Sequence, residues 1–556
     1  MLIFMGDKMN KFKIGTLGVI SVAAVTLLAA CGNQTLGTST TRNIQYSLNS
    51  DLLTLDSSLA SDVNSIDTLL NVESGLVRFD KNAQVELDLA KSIDVSKDGL
   101  TYTVELKPDL KWSNGEKLTA QDFVYGWQRT INPKTGSEYA MALSPLANAT
   151  AIMNGKKPVS SLGIKAEGDS KLIITLANPT PYFEKLMTEQ AFYPLNQKFV
   201  EKEGKSYGTT SDKTLYNGAF MFAKGSKGWT GSNKTFSLVK NPNYYDAKSV
   251  KASGITYQVI SDMSTAAQLY KQGKLDIAVL DTPELIAANK STKGFNVLQS
   301  PRTDTIEYNQ SGSVPALNNV KIREAFNLAT NRQGLLDTAA PSYTVLKTAT
   351  PKGLDKAPNG QDFATYAAQP YSYDPEKAAK LFKEGLKELG KTSLTLTLEG
   401  DSDDAFHKSA VDYLKQNFEK VLPGLTINEN LVPKAQRLKD ATNNNFQIIL
   451  SSWGADYNEP SNYLINFITG STMNDGKVSN AAYDKAFKAA TTVPDVNDPE
   501  KRYADYKDAE QALYEQSNIN PIDTQAKSIL MNPNLKGVSK VNSAMIYDLT
   551  HAYLVN

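Results

Sequence analysis

Apolar positions along this 556-residue chain follow two different periods. From Gly99 to Leu106, the apolar Leu100, Tyr102, Val104 and Leu106 alternate with Thr101, Thr103 and Glu105, the period of two expected of a half-buried strand. Leu172, Ile174 and Leu176 repeat it, as do Leu394, Leu396 and Leu398. Between such strands the period lengthens. Asp374-Pro375 predicts a helix start, with the aspartate as N-cap and the proline in the first turn. Ala378, Leu381, Phe382, Leu386 and Leu389 then make one apolar stripe, and Gly390 supplies the stop. Thr119-Ala120-Gln121-Asp122 opens another helix with Thr119 as N-cap, and sets Phe123 and Trp127 four apart on a core-facing side. Strands and helices interleave throughout, so the expected fold class is α/β (mixed α+β). At 41% apolar and 9% aromatic the chain can bury ordinary cores, and its length corresponds to about two to four domains.

The first 31 residues follow neither period. Lys8, Lys11 and Lys13 precede an uncharged apolar run from Ile14 to Ala30, shorter than the roughly 20 residues of a stable membrane span but suited to a signal sequence. Leu28-Ala29-Ala30-Cys31-Gly32 resembles a bacterial lipobox, in which cleavage precedes a cysteine that is then lipidated. Residues 1–30 are therefore expected to be a lipoprotein signal peptide, with Met9 as an alternative start because Asp7 suits a basic leader poorly. Residues 31–43 are expected to be lipidated Cys31 and a polar tether with a reach of roughly 20 Å. Cys31 is the sole cysteine, which excludes a disulfide and a cysteine metal site. Past residue 30 the chain is near neutral, and nothing in its charge favours nucleic acid. The expected location is the extracellular face of the cell membrane, through a lipid anchor.

A series of short words then runs in order along the chain: Leu55-Asp56, Gly75-Leu76-Val77, Asp98-Gly99-Leu100-Thr101-Tyr102, Lys111-Trp112-Ser113-Asn114-Gly115, Leu118 to Tyr125 and Trp127-Gln128-Arg129. It continues through Asn217-Gly218-Ala219-Phe220, Asn241 to Asp246, Ile322-Arg323-Glu324-Ala325-Phe326 with Asn331-Arg332, and Trp453 to Pro460. In this order the words resemble the extracellular peptide-binding proteins of ABC importers. Gly155-Lys156-Lys157-Pro158, Leu162-Gly163-Ile164-Lys165 and Pro181-Tyr182-Phe183 bring the chain nearest to the oligopeptide-binding proteins, in their Gram-positive, lipid-anchored form. The resemblance covers about residues 46 to 556. It implies a periplasmic-binding-protein-like fold with two lobes, a hinge and an extra third domain. Lobe I would take residues 44–73, 197–300 and 523–556, domain II residues 74–196 and lobe III residues 301–522, with hinge crossings near Ser300-Pro301 and Pro521-Ile522.

A sequence-tolerant peptide binder must read the constant parts of its ligand, through main-chain hydrogen bonds and roomy hydrated pockets. A buried peptide ammonium needs a carboxylate partner. The resemblance gives that role to Asp456, delivered by a strand that includes the apolar run Phe446 to Leu450. It places Trp453 and Gly454 beside the ligand backbone, Tyr457 in the same segment, Tyr139 against the peptide from domain II, and Val63 where main-chain groups face the ligand. His407 is the one matched basic group for the peptide carboxylate; otherwise it would be a partly exposed loop histidine. The family's other basic and aromatic positions fall on Leu450, Val314, Lys434 and Ile522-Asp523-Thr524, so the peptide should end in a different way, with longer or more apolar ligands.

Histidine- and cysteine-based catalysis lacks material, while the 59 acidic residues leave a carboxylate-pair hydrolase open on residue types alone. His407 and His551 are the only histidines, too few and too far apart in sequence for a histidine metal site or a Ser-His-Asp triad. Gly225, Gly228 and Gly231 lack the spacing of a phosphate loop, and Asp401-Ser402-Asp403-Asp404 lacks the glycine and distal glutamate of a calcium loop; both read as solvated turns. The expectation is a monomeric binding protein with no enzymatic activity and no cofactor, its partners an oligopeptide and the permease and ATPase subunits of an importer. The alternative is a peptide-pheromone receptor lipoprotein of the same fold with narrow specificity.

Overall fold

Both predicted helices and all three alternating strands are present in the structure, a computed structural model that describes residues 42–82, 84–280, 282–455, 457–541 and 546–555. The signal segment and Cys31 lie outside the described residues. Eleven strands form the main sheet: β1 (Ile44–Leu48), β2 (Phe220–Phe222), β3 (Thr235–Lys240), β4 (Gly254–Val259), β5 (Ile277–Leu280), β6 (Phe295–Tyr308), β7 (Thr344–Val345), β8 (Leu394–Asp401), β9 (Leu425–Val432), β10 (Ile448–Gly454) and β11 (Ile519–Met531). Their order is β9-β8-β10-β6-β11-β5-β1-β4-β3-β2, with β7 paired to β11 off this path. β1 runs parallel to β4 and β5, and β8 parallel to β9 and β10, whereas β6 pairs antiparallel with β10 and β11. A separate antiparallel sheet joins Ala90–Val95, Thr101–Leu106, Lys171–Thr175 and Ile164–Glu167. In Thr101–Leu106 the alternation puts Tyr102, Val104 and Leu106 inside.

Helix starts and stops follow local chemistry. Helix α1 (Val63–Val72) is capped by Asp62, whose side chain accepts the Ser65 N–H. In α2 (Ala120–Ile131), Asp122 reaches back to the Thr119 N–H at 2.7 Å, and Phe123 and Trp127 are fully buried; burying such a ring contributes about 2 to 3 kcal/mol. Asp374 caps α3 (Pro375–Glu388), which stops before Gly390 at φ +66°, a conformation that favours glycine. Asp404 caps α4 (Ala405–Val421) by accepting the N–H groups of Phe406 and His407.

Two strands tie the molecule together. One large apolar cluster draws on residues 44–79, 216–277 and 529–552, a second on 76–215, a third on 306–450 with Ile522, and a fourth on 349–519. β6 gives Leu298 to the first cluster and Ile306 and Tyr308 to the third, and β11 gives Ile529 to the first and Ile522 to the third. Between those ends their ladder is irregular, with register shifts between Gln299 and Thr303 and between Asp304 and Thr305. A ladder broken there bends more readily than a continuous one.

Candidate functional site

At this break in β6 and β11 lies a cavity of about 620 Å³. One wall comes from β1, the start of α1 and the segment after β5; the other comes from residues 339–343 and the start of α4. Its size and position suit a small ligand. Val63, the first residue of α1, lines this cavity and is 46% exposed.

β10 carries Trp453 and Gly454 at its end, paired in register with Thr303 and Arg302 of β6. Gly454 is held close to a cation: a Cβ there would lie 2.6 Å from the Arg302 Nη1. Arg302 also lines the large cavity, so it connects Gly454 with the wall that holds Val63. Trp453 donates through Nε1 to Asn462 Oδ1 at 3.0 Å and borders a second, polar cavity of about 220 Å³. Glu307 and Asp475 line it, and burial raises both carboxyls, Glu307 to about 7. Asp456 lies outside the described residues, two positions beyond Gly454.

Three other expected residues occupy different surroundings. His407 is not a loop residue: it sits in the first turn of α4, fully buried, because the Asp404 cap draws the chain into the helix before it. Its Nδ1 accepts the Asp401 N–H at 3.1 Å, which leaves Nε2 to donate towards Asp304 Oδ1 at 3.2 Å and Ser452 Oγ at 3.0 Å. Burial pushes the Asp304 carboxyl up, but His407, Ser452 and Gln525 together hold it below its usual range. Across the ladder, burial and the Asp304 charge push Asp523 well above its own. Tyr139 is half-buried against the first two apolar clusters. Tyr457 stacks on Tyr182 with ring centroids 4.2 Å apart and bonds Ser461 through its hydroxyl at 3.2 Å.

The reading of Asp401 to Asp404 as a solvated turn holds for Ser402 to Asp404, with Asp403 and Asp404 exposed, and is corrected for Asp401. Asp401 is 3% exposed and accepts from Arg437 Nε at 2.5 Å, while Asp404 serves as a helix cap. The buried Arg437 guanidinium is paired with the buried Asp401 carboxylate, and the sequence spacing of 36 residues hides the pair.

Residues 84–475 match the family described as bacterial extracellular solute-binding proteins, family 5. The chain belongs to this family. It is 54% identical over 548 residues to the dipeptide-binding protein of Lactococcus lactis subsp. cremoris (strain MG1363), covering 97% of this chain and 99% of that protein. Among solved structures, the OppA of Listeria monocytogenes bound to peptide superposes with a TM-score of 0.71 at 32% identity, over 93% of this chain and all of that one. The murein tripeptide binding protein MppA in its unliganded open form gives 0.80 at 25% identity, over 93% and 98%. This solute-binding protein thus has the expected periplasmic-binding-protein-like fold and is a transport binding protein, not an enzyme. No helix among its described residues is long and apolar enough to cross a membrane.

Sequence reasoning missed Arg302, Lys527 and Asp67, all at the large cavity. For Arg302 and Lys527 the available signal was charge within strands a few residues from the expected hinge crossings; for Asp67 it was a carboxylate on the buried face of α1.

Proposed function

We propose that this chain is the ligand-capturing subunit of an ABC peptide importer, held outside the membrane by a lipid on Cys31, which takes short peptides between two lobes and delivers them to a permease driven by ATPase subunits. The observation that carries the reading is the 620 Å³ cavity at the broken β6–β11 ladder, in a chain whose likeness to a dipeptide-binding protein runs almost end to end. Lobe I (44–73, 197–300 and 523–556) with domain II (74–196) and lobe III (301–522) would move about β6 and β11. Their closure around a peptide is a hinge transition, driven only by the ligand's preference for the closed state. The higher TM-score with an unliganded open form than with a peptide-bound structure agrees with a cleft that is open here.

Within the cleft, Asp456 would pair with the peptide ammonium, Trp453 and Gly454 would flank the ligand backbone, and Val63 would offer main-chain groups from the opposite wall. Tyr139, Tyr457 and His407 would come into reach only on closure, His407 through the Asp304–Ser452 network rather than from the present cavity wall. The test is native mass spectrometry of the material that co-purifies with the protein. A series of short peptides supports the reading, a single peptide sequence favours the receptor alternative, and a non-peptide solute refutes both.

A further inference from the structure

Two cations that line the large cavity, Arg302 and Lys527, form no ion pair among the described residues. Arg302 stands in the β6 irregularity, where Ser300, Pro301 and Arg302 lie opposite Gln525 alone, and such an irregularity re-aims a side chain out of the alternating pattern. Lys527 stands on β11 opposite Leu298. Both line the cavity. Of the eight arginines in the chain, seven are engaged by carboxylates or carbonyl oxygens: Asp276 holds Arg42, Glu86 holds Arg78, Asp56 holds Arg129, Asp401 holds Arg437 and Glu459 faces Arg502, while Arg323 and Arg332 donate to main-chain carbonyls. Arg302 is the exception, with no hydrogen bond or ion pair among the described residues, and Lys527 shares that condition.

No carboxylate of the same cavity lies within ion-pair distance of either cation among the described residues, and each has another engagement or faces solvent. Asp67 accepts the Tyr547 N–H at 3.0 Å, Asp403 accepts the Lys434 N–H at 3.1 Å, Asp404 caps α4, and Glu284 stays at the exposed rim. Burial, and after it the Arg302 charge, push the Lys527 ammonium below its usual value, with Asp67 opposing. Two like charges in one partly dry cavity repel, and a bound anion would relieve both their repulsion and their lost hydration.

We propose that Arg302 and Lys527 form a carboxylate subsite at the floor of the cleft, occupied by the terminal carboxylate of a short bound peptide. This rests on the peptide-binding reading above. The Arg302 guanidinium lies against Gly454, at the end of β10, so a carboxylate held there would sit beside the strand that carries Trp453 and Gly454.

The experiment is calorimetric titration of the wild type, Arg302→Gln, Lys527→Met and the double variant with Ala-Phe and with its C-terminal amide. The wild type should prefer the free acid by roughly 10- to 100-fold, the range of a charge-assisted pair. Each single variant should lower affinity for the acid, leave the amide unchanged and so reduce this ratio, and the double variant should bring it close to one. Unchanged amide binding also shows that the variants fold. Ala-Glu amide distinguishes the two sources of a carboxylate: recovery of affinity keeps the subsite and assigns it to an acidic side chain. Equal binding of acid and amide by the wild type, or a ratio unaltered in the double variant, overturns the proposal while leaving peptide binding intact. Absence of binding by every peptide would instead refute the function from which the proposal starts.

Discussion

Asp67→Asn should stabilise the protein at alkaline pH and do so progressively less as the pH falls. Asp67 is 2% exposed on α1; its Oδ1 accepts the Tyr547 N–H, and its Oδ2 lacks a hydrogen-bond partner among the described residues. Burial is the largest influence on this carboxyl and raises it from an ordinary 3.8 to about 7, against the lowering effect of the Tyr547 N–H, the Tyr46 hydroxyl and Lys527. The folded state thus binds the proton more tightly than the unfolded chain, so its advantage is complete below 3.8 and is lost as the pH rises towards 7. Carried through the linkage relation, the folded wild type is disfavoured by about 1.5 kcal/mol at pH 5 and about 4 kcal/mol at pH 8. Asparagine keeps the acceptor for Tyr547 and carries no charge. The difference in unfolding free energy between variant and wild type should therefore grow by about 2.5 kcal/mol between pH 5 and pH 8, as read by urea denaturation at each pH. Other buried carboxyls such as Glu307 and Glu510, also raised to about 7, are common to both proteins and cancel. A difference that stays constant with pH would refute the reasoning.

His407→Ala should cost about 3 kcal/mol of stability, because it leaves the buried Asp304 carboxylate short of a donor; chemical denaturation checks this, and a change under about 0.5 kcal/mol would contradict the network. Asp456→Ala should weaken peptide binding by roughly 100-fold or more, the cost of a buried unpaired ammonium, and calorimetry with a free-amino peptide would show the loss. Cys31→Ser should release the protein from the membrane while preserving peptide affinity, since a lipid anchor alone holds it there in this account; a variant that still sediments with membranes would remove the anchor from it.

Local features were the most legible in the sequence. Asp374, Pro375 and Gly390 carry their own capping chemistry, and Tyr102, Val104 and Leu106 show their face by alternation alone. Order in the sheet was not legible, because it depends on pairings between strands far apart, such as β1 beside β4 and β5, and alternation says nothing about partners. In the candidate site, the resemblance pointed to Trp453, Gly454 and Val63, of which Val63 lines the large cavity and Trp453 the smaller one. Arg302 was not legible, because its direction is set by an irregularity in β6 that depends on register with β11. Burial misled the reading of His407 and Asp401 for a related reason: polar residues read as solvent-facing until their partners Asp304 and Arg437 are brought in by the fold.

The central claim is that this protein captures peptides by their charged amino end. Its most direct test is a calorimetric titration of the chain from residue 32 onward with Ala-Phe and with N-acetyl-Ala-Phe. Saturable binding of the free dipeptide is expected, with a loss of roughly 100-fold or more on acetylation, because a buried carboxylate then has no ammonium to pair with. Equal affinity for the two peptides would contradict the central claim.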